Sequence, residues 1–331
     1  MWFKEIDPDI IIGWHVIGFD LLFLDNKCRE LGISLDIARA NGRVSIRQRK
    51  PSGHFISVTG RVVIDGPTML RASFFSFGDF KLETAQELLG EGKTITPDEN
   101  KIEEIYRLFK EDKTSLAEYN LQDAVLVTDI FTKTGLIELS VRRAQISGLL
   151  MDQLGMMTAA FDHFYLPRLH RAGFAAPNLK DIQTTEHAAG GYVIDPTPGI
   201  YENIIVLDFK SLYPSIIQTF KIDPYSLLMK DLDTIQTLNG YKFSASHHIL
   251  PDFIDGLMKL RDTSKKKKDT QLSQAIKILM NSFYGVMGSY GCRFYHPDLP
   301  RAITGSGHKL LLGSKDYLEN EGLKVVYGDT D

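Results

Sequence analysis

The sequence predicts a protein of mixed helix and strand content, of the α/β and α+β classes, with about two domains. The chain has 331 residues, and a domain averages about 150. Hydrophobic residues make up 43% and charged residues 24%, which is an ordinary composition for a globular protein. Strand-like and helix-like segments alternate up to about residue 135, and long helical segments with isolated strands follow.

In the first part, β-branched runs predict strands, and runs of helical period between stop signals predict helices. The predicted strands cover residues 9–14, 55–59 and 61–65. The predicted helices cover residues 20–31, 82–89 and 116–131. Gly32 and Gly90 are placed to end the first two helices. Ser115 and Glu118 have the spacing of a capping box, which predicts the start of the third.

The second part is richer in helices. Residues 136–170 predict a helical connector, and the Gly- and Pro-marked stretch 178–198 predicts a domain boundary. The remaining predicted elements are a strand at 204–209, helices at 252–267, 270–288 and 301–320, and a strand at 323–327. Because the sequence ends at Asp331, directly after that strand, we expect it to be part of a longer protein.

The charge balance and the cysteines exclude several classes of protein. Lys and Arg number 38, and Asp and Glu number 42. The formal charge of −4 excludes a uniformly basic coat for nucleic acid, although not a local basic groove. Cys28 and Cys292 are too few for a disulfide framework. No run approaches the roughly 18 apolar residues of a membrane span, and residues 1–5 do not open a signal peptide, so we expect a cytoplasmic protein without a membrane partner.

One set of polar residues in the first part suits a hydrolytic site. Asp20 precedes an apolar helix, where a plain helix cap is the alternative. Tyr119 and Asp123 lie four residues apart and share one helix face, which is also typical of a solvated surface. A carboxylate can hold a divalent metal ion and a phenol can orient water, but two-metal hydrolysis needs three or four converging carboxylates. Spacing alone leaves both interpretations open.

A second set lies at the ends of two predicted strands. Asp208 follows one apolar run, and Asp329 and Asp331 follow another. The last two alternate, so they share one side of an extended chain. Carboxylates at two strand ends supply the oxygen ligands that Mg²⁺ requires. The alternative is that these aspartates only cap exposed strand ends.

Between these strands, two predicted helices carry cations. Residues 259–268 are mostly basic, and Arg261 and Lys265 lie one turn apart, a spacing suited to gripping a polyphosphate. A solvated basic face is the alternative. The next helix carries a stripe of cation, amide and aromatic ring at Lys277, Asn281 and Tyr284. Cations on helices above carboxylates on strands form the general plan of a phosphoryl-transfer site.

Three segments, in this order, resemble the motifs of the family B DNA polymerases. Residues 208–217 resemble palm motif A, residues 277–285 resemble fingers motif B, and residues 327–331 resemble motif C. The stretches that follow motifs A and B, at 222–224 and 292–295, are most similar to the bacterial DNA polymerase II branch of the family.

The resemblance implies a role for each matching residue of a polymerase site. Asp208 and Asp331 would hold two catalytic Mg²⁺ ions, with Mn²⁺ as a substitute, and Asp329 would assist them. Tyr213 would lie under the deoxyribose and exclude a 2′-hydroxyl. The residues that would bind the incoming dNTP are Ser211, Leu212, Tyr213, Arg261, Lys265, Lys277, Asn281, Tyr284 and Gly285. The residues that would contact the template strand are Gly190, Gly191 and Tyr192.

The first part resembles the family's 3′→5′ exonuclease domain. There Asp20 and Asp123 would be metal ligands, and Tyr119 would orient the water. The family's Asp-x-Glu motif is absent from residues 1–19, and His15 replaces the usual Asn of the second motif. We therefore expect an internal fragment with an incomplete exonuclease, without the N-terminal part and the thumb. Alone, such a fragment is expected to be weakly active or inactive.

The implied fold is a partial ribonuclease H-like 3′→5′ exonuclease domain, followed by an incomplete polymerase palm and helical fingers. In chain order the expected parts are the exonuclease (1–135), a helical connector (136–189), the palm (190–245), the fingers (246–295) and the palm again (296–331).

Three functions remain open at this stage. The first is a template-directed DNA polymerase that acts on primer–template DNA and dNTPs, the second is a 3′→5′ exonuclease alone, and the third is a non-catalytic nucleic-acid-binding module. The intact set of Asp208, Lys277 and Asp331 favours the first. The resemblance implies the bacterial nucleoid as the setting, and a sliding clamp as a further partner through C-terminal sequence that this chain lacks.

Overall fold

The computed structural model describes residues 2–49, 53–82, 101–182, 190–229 and 233–330. Its contacts divide the chain into two compact units. The first unit contains the residues up to Val141 together with Leu150–Gly155, and the second contains Arg142–Leu149 and the residues from Met156 onward. This division falls between residues 141 and 156, whereas the composition predicted a boundary within 178–198. The finer division into five parts stays a prediction.

The first unit combines short strands with helices on the pattern that the sequence predicts. Its elements in chain order are α1 (Trp2–Ile6), β1 (Ile10–Gly13), α2 (Asp20–Glu30), β2 (Val44–Arg49), β3 (Gly53–Val58), β4 (Val62–Asp65), α3 (Gly66–Arg71), α4 (Lys101–Glu111), α5 (Lys113–Thr134) and α6 (Leu136–Ser147), the last shared with the second unit. The predicted helix at 82–89 and its stop signal Gly90 lie outside the described residues, apart from residue 82.

Two strand pairs order the first unit. β1 and β4 are parallel, with Gly13 opposite Asp65. β2 and β3 are antiparallel, and the turn from β3 to β4 passes through Gly60, whose φ of +76° lies in the region that glycine adopts without steric cost. The strands predicted near 9–14, 55–59 and 61–65 are confirmed, whereas β2 was not predicted. Its alternation of apolar and polar residues ends in Arg47-Gln48-Arg49, which lowers its apparent strand propensity.

The start of α5 differs from the prediction. The helix begins at Lys113, and its cap is Asp112, whose carboxylate accepts hydrogen bonds from the backbone N–H and the hydroxyl of Ser115. The predicted capping box at Ser115 and Glu118 is therefore wrong. The physical reason is that the aspartate three residues earlier caps the free N–H of Ser115, so the helix already includes Ser115.

A buried arginine fastens the first unit internally. The Arg61 side chain is 2% exposed, and its guanidinium donates to the carbonyl oxygens of Ile37, Pro8 and Phe3. It also forms an ion pair with Asp7 at 2.9 Å. A guanidinium has five N–H donors in a planar fork, so one side chain can satisfy several carbonyls of different segments.

The second unit is built mainly from helices. Its further elements in chain order are α7 (Met157–Arg171), β5 (Val193–Ile194), α8 (Leu212–Phe220), α9 (Pro224–Leu228), β6 (Thr234–Gln236), β7 (Lys242–Ser244), α10 (Leu250–Lys266), α11 (Thr270–Met287), α12 (Asp298–Asn320) and β8 (Gly328–Asp329). The long helices predicted at 252–267, 270–288 and 301–320 are confirmed, because their apolar period of 3.6 residues is sustained over several turns.

Aromatic side chains form the centre of the second unit. α10 packs against α8 and α11, and α7 packs against α11. The rings of Phe164 and Phe253 stack with centroids 3.7 Å apart, and Phe161 and Phe283 meet edge to face at 5.6 Å. The Arg168 guanidinium lies over the Phe164 ring, 4.6 Å from its centroid. These contacts fix the helices that carry the candidate site.

Two strands of the second unit are absent from their predicted positions. Residues 204–209 form no strand, and Val206 and Leu207 are 85% and 73% exposed. The last strand is Gly328–Asp329 rather than 323–327, and it pairs with β5. A strand requires a hydrogen-bonded neighbour, and within the described ranges residues 204–209 have none. An apolar run therefore predicts the tendency to form a strand, but not the pairing.

Candidate active site

The motif A segment places a free carboxylate before a helix. Asp208 is exposed, and it makes no hydrogen bond or ion pair with the described part of the chain. Two residues on, Lys210 Nζ lies 3.2 Å from Asp262 Oδ2 of α10. Ser211 then takes a left-handed conformation with φ of +53°, and α8 begins at Leu212. The carboxylate oxygens of Asp208 are therefore open to a ligand beside this turn.

The cations of α10 lie above the same turn. Arg261 Nη1 is 3.3 Å from Ser211 Oγ, so the guanidinium reaches the start of α8. Arg261 Nε is buried and has no hydrogen-bond partner among the described residues. Lys265 follows one turn later and is exposed. A buried N–H donor without a partner costs free energy, so this donor is suited to an anionic ligand.

Tyr213 of α8 joins the motif A helix to the two other motifs. Its hydroxyl lies 3.3 Å from Thr330 Oγ1, directly after β8. Its ring centroid lies 4.7 Å from that of Tyr284 on α11. A Cβ on Gly307 of α12 would lie 3.3 Å from the Tyr213 ring, so glycine permits the close approach of these helices. Residues distant in sequence thus surround Tyr213.

The Gly190-Gly191-Tyr192 stretch lies beside motif C. β5 and β8 are antiparallel, with Val193 opposite Asp329. The Tyr192 N–H donates to Thr330 Oγ1 at 2.7 Å, and the Thr330 N–H donates to the Tyr192 carbonyl at 3.1 Å. Gly190 and Gly191 are exposed just before this contact. The structure therefore brings the predicted template residues next to motif C.

One face of α11 carries the motif B residues outside the core. Lys277 and Asn281 are exposed, and Tyr284 is half-buried. A Cβ on Gly285 would meet no atom within 4 Å, so this position faces open space. The face is thus exposed at Lys277, Asn281 and Gly285, and its role in binding a ligand stays a prediction.

Of the aspartates predicted to form the polymerase metal site, the structure describes Asp208 and Asp329. Asp329 is exposed and accepts a hydrogen bond from Tyr327, whereas Asp331 lies outside the described residues. Within the described ranges, no three His, Cys, Asp or Glu side chains are grouped as a metal site. The exposed carboxylates of Asp208 and Asp329 have the hard oxygen donors that suit Mg²⁺, so the donor chemistry fits this ion.

The residues predicted to form a hydrolytic site in the first unit lie on two helices. Asp20 is the first residue of α2, whose cap position is Phe19, so Asp20 is not the plain helix cap that was the alternative. Desolvation raises the pKa of Asp20, and the nearby charge of Asp65 raises it further. Tyr119 and Asp123 are half-buried on α5, which packs against β1. His15 takes a left-handed conformation with φ of +58° in the turn before α2.

Two structural residues of the second unit escaped prediction. Thr330 is 3% exposed and links Tyr192 to Tyr213, and nothing in the sequence signals that contact. Asp223 is completely buried, and desolvation raises its pKa against the lowering effect of its hydrogen bond from Tyr165. An aspartate directly before Pro224 is a helix-start signal, which could have identified Asp223 as a cap.

Comparisons with known proteins define the class. Residues 161–331 match the family model described as DNA polymerase family B, and the chain belongs to this family. In the described ranges, no helix combines the length and the apolar character needed to cross a membrane.

The relatives are DNA polymerases of bacteria and archaea. The chain is 45% identical to DNA polymerase II of Escherichia coli (strain K12) over 339 residues, which cover 100% of this chain and 43% of that protein. It is 31% identical to a DNA polymerase of Archaeoglobus fulgidus, over 99% of this chain and 42% of that one. The chain therefore spans less than half the length of these relatives.

A solved structure has the same fold. The family B DNA polymerase from the hyperthermophilic archaeon Pyrobaculum calidifontis matches 100% of this chain and 45% of its own, with a TM-score of 0.79 and 25% sequence identity. The mixed α and β content predicted from the sequence is thus that of a family B DNA polymerase.

Proposed function

We propose that the protein to which this chain belongs is a template-directed DNA polymerase that adds deoxynucleotides to a primer 3′-OH. The observation that carries the proposal is the meeting of three motifs at Tyr213, whose hydroxyl lies 3.3 Å from Thr330 and whose ring contacts Tyr284. The family membership and the likeness to DNA polymerase II support a DNA-directed DNA polymerase.

In the proposed reaction the chain's own residues bind and orient the nucleotide. Arg261, Lys265 and Lys277 attract the triphosphate, and Asn281 supports that contact. The backbone N–H groups of Ser211 and Leu212, at the start of α8, add donors to phosphate oxygens. Positioning and charge neutralisation account for most of the catalysis in phosphoryl transfer, so this set of donors is the main contribution of the protein.

The remaining residues set geometry and selectivity. Tyr213 lies under the sugar and excludes a 2′-hydroxyl, and Tyr284 and Gly285 contact the nascent base pair. Gly190, Gly191 and Tyr192 contact the template strand. Asp208 and Asp331 would hold two Mg²⁺ ions with Asp329 nearby, and these ions, when bound, would neutralise charge on the reacting phosphate. Mn²⁺ has the same preference for oxygen ligands and can replace Mg²⁺.

A second activity is proposed for the first unit, a 3′→5′ exonuclease. The raised pKa of Asp20 beside Asp65 favours it, because shifted carboxylates are common at hydrolytic sites. Asp20 and Asp123 would bind metal ions, and Tyr119 would orient water. The partners of the whole protein would be primer–template DNA, dNTPs and a sliding clamp, in a bacterial nucleoid.

Primer extension by the protein at its natural length tests the proposal. Asp208→Ala should lower dNTP incorporation by at least about 100-fold, because charge stabilisation at the transition state is lost. The control is Asp316→Ala, an exposed aspartate on α12 that should leave extension unchanged.

The alternatives predict other outcomes. If Asp208→Ala extends primers normally, the polymerase assignment is wrong. Degradation of 3′ ends that survives Asp208→Ala but disappears in Asp123→Ala, without extension by the unmodified protein, would make the exonuclease the only working centre. DNA binding without either reaction would identify a non-catalytic module.

A further inference from the structure

The Asp223 side chain is a buried carboxylate that lies between α8 and α9. It has no exposed surface. Its Oδ1 accepts hydrogen bonds from the Tyr165 hydroxyl at 2.6 Å, from the Tyr225 N–H at 2.7 Å and from the Ser226 N–H at 3.2 Å. These contacts cap the short helix α9 and attach it to α7. One side-chain oxygen is enough to cap a helix, because serine has only one and is a preferred capping residue.

The second oxygen holds a different helix. Asp223 Oδ2 accepts from the Ile249 N–H at 3.0 Å and from the Leu250 N–H at 2.6 Å, at the start of α10. α10 has no side-chain cap of its own, since its cap position is Ile249. The first N–H groups of a helix need an outside acceptor, and here Asp223 supplies it from distant sequence.

α8 and α10 run antiparallel and are linked at both ends and in the middle. Asp223, just after the end of α8, meets the start of α10. Gln218 Nε2 donates to Asp255 Oδ1 at 2.9 Å along their length. At the far end, Arg261 reaches Ser211 at the start of α8, at 3.3 Å. Arg261 lies three turns beyond Leu250, or about 17 Å along the helix.

We propose that Asp223 is a positioning residue for nucleotide binding, which acts by holding the start of α10 so that Arg261 stands over Ser211. The inference rests on the proposed polymerase function, in which Arg261 binds the triphosphate. A displacement at the first turn of a rigid helix moves every residue further along it. A group misplaced by about 1 Å can cost on the order of 100-fold in rate or binding. The hydrogen bonds from the start of α10 to Asp223 therefore affect nucleotide binding at Arg261.

Two substitutions separate the two oxygens. Asp223→Ser keeps one acceptor within reach of the Tyr225 and Ser226 N–H groups, but it leaves Ile249 and Leu250 without theirs. Asp223→Asn keeps the volume, with one oxygen and one NH₂ group. Because three donors face Oδ1 and two face Oδ2, the amide oxygen should take the Oδ1 position, and the NH₂ group would then face the N–H groups of α10.

The experiment measures single-nucleotide incorporation at natural protein length, with a matched control. Asp223→Ser should raise KM for the dNTP about tenfold with kcat changed by less than about threefold, because binding groups are displaced while the reacting carboxylates are not. The dissociation constant for primer–template DNA should not change. The control Asp252→Asn removes a charge from the first turn of α10 that is 68% exposed and lies 3.3 Å from His248 Nδ1, so it should behave as the unmodified protein does.

Amide hydrogen exchange gives a second measurement that does not depend on activity. In Asp223→Ser, exchange should accelerate at Ile249, Leu250 and the first turn of α10, but not at Tyr225 and Ser226. If Asp223→Ser does not fold, Asp223→Asn takes its place in both measurements, with the same expected results.

The results separate three cases. A raised KM with faster exchange at α10 supports the proposal. A KM within twofold of the unmodified value, or equal losses in kcat and DNA affinity, overturns it. If the unmodified protein incorporates no nucleotide, the polymerase proposal fails instead, and the exchange data alone then decide whether Asp223 holds α10.

Discussion

The hydroxyl of Tyr213 lies 3.3 Å from Thr330 Oγ1, although the two residues come from the first and the last of the three motif segments, motif A and motif C. The same Thr330 oxygen accepts the Tyr192 N–H at 2.7 Å. Thr330 is 3% exposed, so one buried hydroxyl connects α8, the strand pair β5–β8 and the Gly190–Tyr192 stretch. Each of these hydrogen bonds contributes to the stability of the fold, because a buried polar group without a partner costs free energy.

Thr330→Val should destabilise the second unit by about 1–3 kcal/mol. Valine keeps the shape of threonine but removes the acceptor, so the partly buried Tyr192 N–H loses its partner. Urea unfolding measures the effect. Thr219→Val is the matched control, since Thr219 is exposed on α8 and the same substitution there should change the free energy of unfolding by less than about 0.5 kcal/mol. Equal effects at both positions would contradict the role of the buried hydroxyl.

In the proposed function Tyr213 fills the space under the sugar, so Tyr213→Ala should increase ribonucleotide incorporation relative to deoxyribonucleotide incorporation by at least about tenfold. Tyr213→Phe retains the ring, which lies 4.7 Å from the Tyr284 ring, and should retain the exclusion. Competition between rNTP and dNTP at one template position measures the ratio of kcat/KM. If Tyr213→Phe relaxes the selection as much as Tyr213→Ala, the hydroxyl rather than the ring is responsible.

The sequence predicted the helices that carry the site better than the contacts that complete it. α10, α11 and α12 have sustained apolar periods, so their existence follows from local pattern. Residues 204–209 have the same apolar character as a buried strand, but they find no paired neighbour within the described ranges. Strand formation depends on a partner distant in sequence, which a local pattern does not contain.

The candidate site shows the same limit. The residue types at Asp208, Arg261 and Lys277 predicted phosphoryl-transfer chemistry from spacing and charge alone. The contacts of Thr330, and those of Asp223 with the start of α10, were not predictable, because each depends on backbone N–H groups from other segments. The residues next to a hydroxyl or carboxylate in the sequence do not show which distant N–H group will donate a hydrogen bond to it.

Arg61→Met should destabilise the first unit by about 3–5 kcal/mol, because the buried carbonyl oxygen of Ile37 and the partly buried one of Pro8 lose their donor. Methionine has a similar length and no N–H group, so packing changes little. Urea unfolding again measures the effect. Arg107→Met is the control, since Arg107 is 51% exposed and its partners Glu104 and Glu111 are 46% and 65% exposed, and such surface pairs contribute about 0–1 kcal/mol. Similar losses in the free energy of unfolding at the two positions would show that the burial of Arg61 does not account for the effect.

The cap at Asp112 should make the stability of α5 depend on pH. The Ser115 hydroxyl, which hydrogen bonds to the carboxylate, lowers the pKa of Asp112, and the Ser115 backbone N–H lowers it further. A carboxyl with a lower pKa in the folded state stabilises the fold fully above its unfolded pKa of about 3.9. That contribution is lost as the pH falls through the folded pKa. The cap should therefore be stronger at neutral pH than at a pH below the folded pKa.

Asp112→Asn isolates this contribution, because asparagine is also a good helix cap but does not titrate. The difference in urea midpoint between the unmodified chain and Asp112→Asn should shrink as the pH falls from 6 to 3. Ser115→Ala removes the largest cause of the lowered pKa, so the stability of this variant should fall less than that of the unmodified chain as the pH drops through this range. A constant difference between the unmodified chain and Asp112→Asn across this range would show that the ionised Asp112 carboxylate contributes nothing to the start of α5.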